Sequence, residues 1–266
     1  MSTFNTILIE RTGHVALVTL NRPASLNAFD TEQRQEFIRA AREVNADDSI
    51  RVVVLTGAGR AFSAGADLAE SAGAGASDNR GQDTEDLLNN DYKPGVLAIS
   101  NAPKPWISAV NGAAAGVGSA FAMACDLTVM ADDAYIYQAF GAIGLVPDGG
   151  ATWQLVHTLG RKKAYEIMVT GEKVRAEKCE ALGLCNRVVP GAELVEQALA
   201  WAQEIAGKAP LAMRYAKESV QFATAHTLPD VISNEARLQH ICVNSDDSRE
   251  GAIAFLQKRA PQFKGH

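Results

Sequence analysis

An α/β core followed by a mainly helical C-terminal part is the fold class that the sequence predicts. Three patterns carry that prediction. Short, continuous apolar runs recur through the first half, "RVVVLTG", "WISAVNG" and "DLTVMA", the first two ending at a glycine. Runs that are apolar on both faces belong to strands buried between layers. Helical stretches alternate with them, and after Pro147 helices take over.

In chain order, "ILIE" and "VALVTL" read as an opening hairpin across a turn that holds Gly13. "TEQRQEFIRAAREVNA" reads as a helix capped by Asp30 or Thr31. Between Ser71 and Asp83, "SAGAGASDNRGQD" has turn composition and is expected to form a mobile surface loop. From Pro105 to Cys125 the chain carries no charge over 21 residues, long enough for a membrane span. Its Ala and Gly content, the internal Asn-Gly and the absence of an aromatic belt predict instead a buried strand, a tight turn and a buried helix. Beyond Pro147, "GATWQLVHTL", "RKKAYEIMVTG" and "AEKCEALGL" are helices, with longer ones from Glu193 to Arg259. A helix is expected to begin near Asp148, within "GLVPDGG", where an acid often serves as a cap.

Composition closes off several function classes. At 266 residues the chain can bury a large core, and 47% hydrophobic with 21% charged residues is ordinary for a globular protein. A net charge of −6 provides no basic field for a phosphate backbone, so nucleic acid is not an expected partner. Four cysteines without a CxxC pair or zinc-finger spacing fit a reduced, cytoplasmic setting. The first residues, "MSTFNTILIERTGH", carry no secretory signal pattern. There is no metal-ligand constellation, no G-x-S-x-G elbow and no phosphate loop.

Two strand–glycine units bear on chemistry. "VVVLTGAGRAFSAGADL" leads to Ala64-Gly65-Ala66, and "ISAVNGAAAGVGSAFAMACD" leads to Ala115-Gly116-Val117 at a helix start. Small residues let a ligand approach the main chain. Two backbone N–H groups aimed at one point form an oxyanion hole for a carbonyl oxygen that gains negative charge. Taken singly, each glycine is better explained by close packing of strand on helix; it is the matched pair that favours the oxyanion-hole reading.

These units, with "NRPASLNAF", "GLVPDGGATW" and the closing "EGAIAFLQKRAPQFKGH", resemble the crotonase, or enoyl-CoA hydratase/isomerase, superfamily from about Ile7 to the C-terminus. The resemblance implies a spiral of ββα units with a helical C-terminal trimerisation region. It divides the chain into a core with the acyl-CoA site, residues 1–195, and an oligomerisation region, residues 196–266. The assembly it implies is a homotrimer or a dimer of trimers. It implies a coenzyme A thioester whose carbonyl lies between the N–H groups of Ala66 and Val117, with no cofactor beyond the coenzyme A of the substrate. Leu26, Gly116 and Phe140 are implied as substrate-binding, and the adenine end falls near Ala64, Asp67 and Leu68. Phe255 and Lys258 are implied to close over coenzyme A from the C-terminal helix, across a subunit boundary in some assemblies.

The match departs from a hydratase in an informative way. Where the family's two glutamates add water across a double bond, this chain has Ala120 and Phe140, and neither can exchange a proton. Asp148 is the acid that remains, a position used by certain enoyl-CoA isomerases and by the ring-1,2-epoxyphenylacetyl-CoA isomerase subgroup. One carboxylate suffices to shift a double bond through an enolate. Apolar neighbours such as Phe140 and Leu145 are expected to raise its pKa. A hydratase with an atypical site and a non-catalytic acyl-CoA-binding homologue are the alternatives. Dehalogenation is disfavoured because Phe140 lacks the ring N–H that the family's dehalogenase has there. His157 on its helix and Cys125 read as structural, and nothing in the sequence argues for reactivity at Cys179 or Cys185. Glu85 and Asp86 are acids after the loop that no sequence feature assigns to the acyl pocket.

Overall fold

The computed structural model describes residues 3–73 and 79–266. Strands β1 (Ile7–Thr12) and β2 (Val15–Leu20) form the expected antiparallel hairpin, with Gly13 at φ +58° in the turn. Helix α1 (Thr31–Ala46) is capped by Asp30, whose carboxylate accepts the Gln33 N–H. Strands β3 (Val52–Gly57) and β4 (Ala61–Ser63) then lead into α2 (Leu68–Gly73).

Helix α3 (Arg80–Leu87) follows, then a π-helical turn over Leu88–Tyr92 and α4 (Lys93–Ser100). The loop expected over Ser71–Asp83 is therefore partly helical: residues 71–73 end α2 and Arg80 opens α3. Alanine counts as a helix former, and the turn composition misled on that point. The middle of that loop, residues 74–78, lies outside the described residues.

The uncharged segment resolves into β5 (Trp106–Val110), β6 (Ala113–Ala115) and α5 (Val117–Ala124). No described helix is long and apolar enough to cross a membrane. Strands β7 (Leu127–Ala131) and β8 (Tyr135–Tyr137) precede α6 (Ala151–Thr170), which is kinked at Gly160 where two helices were expected. The chain continues through β9 (Lys173–Arg175), α7 (Ala176–Ala181) and β10 (Arg187–Val189). It closes with α8 (Leu194–Ala206), α9 (Pro210–Ala223), α10 (Leu228–Val243) and α11 (Asp246–Gln257).

The strands sort into two sheets by a repeating rule. The first strand of each ββα unit enters a six-stranded sheet of order β1-β2-β3-β5-β7-β10, parallel except for the hairpin. The second enters a four-stranded sheet of order β4-β6-β8-β9. Three turns of this spiral, β3-β4, β5-β6 and β7-β8, each end in helix, which is the crotonase architecture. Every residue of β3 and β5 is buried, because α8 packs against β2, β3, β5 and β7 while other helices cover the rest. Phe29, Phe37, Tyr92, Trp106 and Phe121 form one aromatic cluster beneath α5.

Helix α9 is tied to this core by Lys217 and by Gln221, whose amide donates to the Ser100 carbonyl. Lys217, buried, donates to the Ile99 carbonyl and to Asp126, each at 2.8 Å. The last three helices pack on one another and leave Val220, Leu228, Ile232, Phe255 and Leu256 exposed.

Candidate active site

The first glycine turn is held by "NRPASLNAF". Leu26 and Asn27 take left-handed conformations, φ +52° and +56°. The Asn27 amide, fully buried, donates to the Ala58 and Ala61 carbonyls at 2.9 and 2.8 Å, which pins the loop to β4. Arg22 closes the loop from outside, pairing with Asp30 at 2.9 Å and with Asp67 at 3.0 Å. Both roles escaped the sequence reading, although Arg22 and Asn27 stood inside a motif it had quoted. Long-range polar anchors leave no periodic trace.

The donors along Ala64–Asp67 can then be accounted for. The Ala64 N–H goes to Leu26 O, the Gly65 N–H to Ser63 Oγ and the Asp67 N–H to Phe29 O. Phe29 N–H returns to Gly65 O at 2.7 Å. Among the described residues the Ala66 N–H has no partner, and Ala66 is exposed.

The second turn lies against the first. A Cβ on Gly65, at φ +97°, would meet the Ala115 carbonyl at 2.9 Å, and Gly116, at φ +51°, stands over the Gly65 Cα. Backbone sign favours glycine at both positions, and contact excludes a side chain at Gly65. The Gly116 N–H goes to Tyr137 O, and its carbonyl accepts from the Ser119 N–H and hydroxyl. Gln138 holds that hydroxyl at 2.9 Å. Val117 is the first residue of α5, and its N–H is among the donors that a helix start leaves unpaired. The dipole of α5 adds positive potential at the same point.

Asp148 approaches from a third element. Gly149 and Gly150 have φ +59° and +85°, and a Cβ on Gly149 would meet Val117 Cγ2 at 2.8 Å and Ala120 Cβ at 2.9 Å. The turn carrying Asp148 thus rests on the first turn of α5, where only glycine fits. The expected cap is not made: Gly150 is the N-cap of α6 and no side chain caps it. Asp148 contributes its carbonyl to Ala151 N–H, while its carboxylate Oδ1 is buried with no hydrogen-bond partner. Burial alone raises its pKa from 3.8 to about 6. Phe140 is buried beside Gly116. Leu145 is not part of that apolar wall; it is 54% exposed, because Gly144 turns the chain outward at φ +73°.

The remaining candidates disperse. Asp67 is engaged by Arg22 and by the Ala69 and Glu70 N–H groups at the start of α2, and Leu68 is exposed beside it. Phe255 and Lys258 lie at the end of α11; Phe255 is 83% exposed. Glu85 and Asp86 are exposed on α3. His157 is exposed and stacks on Trp153. Burial pushes the Cys125, Cys179 and Cys185 thiols up, to about 12 for Cys179 and about 11 for Cys185, so none is a thiolate near neutral pH.

Comparison with known proteins gives this geometry a family. The enoyl-CoA hydratase/isomerase family model matches residues 10–266. A probable enoyl-CoA hydratase of Rhodobacter capsulatus is 36% identical over 98% of this chain and 99% of its own. The 1,2-epoxyphenylacetyl-CoA isomerase of Escherichia coli is also 36% identical, over 94% of this chain and 95% of its own. The crystal structure of an enoyl-CoA hydratase from Bacillus anthracis superposes with a TM-score of 0.93 at 30% identity, covering 98% of this chain and 100% of that one. The chain is an acyl-CoA enzyme and belongs to the enoyl-CoA hydratase/isomerase family.

Proposed function

We propose that the protein is an isomerase of this family, shifting a double bond or opening a ring epoxide in an acyl-CoA through an enolate. The observation that carries the reading is Asp148, an acid with a buried, unpartnered oxygen whose turn packs on the helix that begins at Val117. The thioester carbonyl is taken to sit between the Ala66 and Val117 N–H groups, which stabilise the negative charge that develops on its oxygen. Asp148 removes a proton from one carbon of the acyl chain and returns it to another, so no net acid or base is consumed. A carboxylate raised to about 6 is ionised at neutral pH and is a stronger base than an ordinary aspartate.

Neither of the family's two glutamate positions carries a carboxylate: Ala120 is fully buried under Gly149 and Phe140 is buried beside Gly116, which speaks against two-carboxylate hydration. The adenine end is assigned to Ala64, Asp67 and Leu68, and the coenzyme A moiety to closure by Phe255 and Lys258. The exposed apolar side chains of α9 to α11 support assembly into a trimer or a dimer of trimers, which sedimentation would report as a mass of three or six chains. The test of the chemistry is to assay wild type and Asp148→Asn on a 3-enoyl-CoA, a ring-epoxide acyl-CoA and crotonyl-CoA. Isomerisation lost in the variant, with crotonyl-CoA left unhydrated by either, supports the reading. Efficient hydration by the wild type, or full isomerase activity in Asp148→Asn, overturns it.

A further inference from the structure

Tyr92 is the one residue of the aromatic cluster whose chemistry the packing does not explain. It is 2% exposed, and its hydroxyl has no acceptor among the described residues. Its ring meets Phe29 and Phe121 edge-on, with centroids 6.2 and 6.5 Å away. A phenylalanine would pack there equally well without burying an unpaired hydroxyl, which is costly. Arg34 lies beside the ring, 5.5 Å from its centroid. Four of its N–H groups go to Asp91, Glu70, Thr31 and the Phe29 carbonyl, and its charge and a further hydrogen bond act on the phenol oxygen. A guanidinium only donates, so the Tyr92 O–H still has no acceptor.

The backbone holds Tyr92 in place by an irregularity. Pro94 has no N–H to give to Asn90, and the helix widens into the π turn Leu88–Tyr92. Such single π turns recur at functional sites. This one buries Tyr92 while Asn89 and Asn90 stay exposed.

Both contacts of the ring lead to the site. Phe29 pairs through its main chain with Ala66, and Phe121 follows Ala120, which lies against Gly149 beside Asp148. Tyr92 is thus one contact removed from Ala66, through Phe29, and from the α5 turn under Gly149, through Phe121. Burial first, and then the charge of Asp148 among its neighbours, pushes the phenol up to about 12 despite Arg34. The hydroxyl keeps its proton at any working pH and is a donor that needs an acceptor.

We infer that Tyr92 donates a hydrogen bond to an oxygen atom carried by the acyl group, so that the site selects oxygen-bearing acyl-CoA thioesters over plain hydrocarbon ones. This rests on the reading of the Ala66–Val117–Asp148 space as the acyl site. A pocket built to hydrogen-bond a substrate oxygen rejects the analogue that lacks it more strongly than an apolar pocket can reject a change of shape.

The test is Tyr92→Phe, which keeps the ring, examined by calorimetric binding of heptanoyl-CoA and of its isosteres with oxygen in place of the C5 or C6 methylene. These saturated thioesters report recognition without turnover. Wild type is expected to bind one ether at least tenfold more tightly than heptanoyl-CoA, and Tyr92→Phe to bring that ratio toward one. An unchanged ratio in Tyr92→Phe overturns the inference. So does an unchanged ratio together with a moved midpoint in the pH–rate profile, which would mean that Tyr92 serves Asp148 and not the substrate. If no thioester binds to wild type, the acyl-site reading falls and takes this inference with it; if all bind and only the ratio fails, the inference falls alone.

Discussion

Asp126 and Asp148 are two acids that burial pushes in the same direction, and the structure treats them oppositely. Asp126 keeps 24% of its side-chain surface and accepts both the Trp106 N–H and the Lys217 ammonium at 2.8 Å. It ties α9 to the β5–β7 edge of the core. Asp148 has neither a cation nor a donor on its buried oxygen. An acid that serves architecture has its charge met, whereas an acid reserved for chemistry is left without a partner until substrate arrives.

The contrast breaks most sharply at Asp148. Asp148→Asn is expected to lower turnover by about 10²–10⁴-fold, the usual contribution of a positioned base. The same variant should gain stability at pH 7, by about 1–3 kcal/mol in urea unfolding, since the wild type holds a charge in a site that disfavours it. The sign follows from the raised pKa. Protonated Asp148 contributes stability that is present below about pH 4 and lost as pH rises through about 6. Asp148→Asn should not lose stability over that window.

Val117→Pro ranks next. Proline is tolerated at the first position of a helix, so α5 should survive while the proposed oxyanion donor disappears, at a cost of about 10²–10³-fold in kcat. Gly149→Ala should follow, at about 10–100-fold, because its methyl has no room against Val117 and Ala120 and must displace the neighbouring acid. Circular dichroism beside the rate assay separates displacement from unfolding.

Lys217→Met should leave kcat within a few-fold of wild type and cost about 2 kcal/mol in stability by stranding Asp126. A Lys217 variant with intact stability and no turnover would erase the distinction between the two acids.

The strand–glycine–helix units were legible in the sequence because their signals are local, while the spiral that joins them came from the family resemblance. Buried strands show as apolar runs, and the β3–β4 and β5–β6 corners show as Gly57 and Gly112, where a Cβ would run into the Ala61 and Arg60 carbonyls. Asp148 stood out only through the resemblance, which marked Ala120 and Phe140 as the places where the family carries glutamates. What stayed hidden depends on distant partners. "LLNNDYKPG" has the composition of a loop yet forms a π turn ahead of Pro94, which seats Tyr92 on Phe29 and Phe121 from elsewhere in the chain. Arg22 reaches Asp67 and Lys217 reaches Asp126 across tens of residues, and no spacing rule announces either. The capping role expected of Asp148 failed for the opposite reason: two consecutive left-handed glycines carry the chain into α6 without it.

The measurement closest to the central claim is the pH dependence of kcat/KM for isomerisation between pH 5 and 8.5, for wild type and Asp148→Asn. Wild type is expected to rise through a midpoint near 6 to a plateau, as Asp148 loses its proton, and the residual rate of the variant should lack that limb. A wild-type profile flat through pH 6, or a variant that keeps both the rate and the limb, would contradict it.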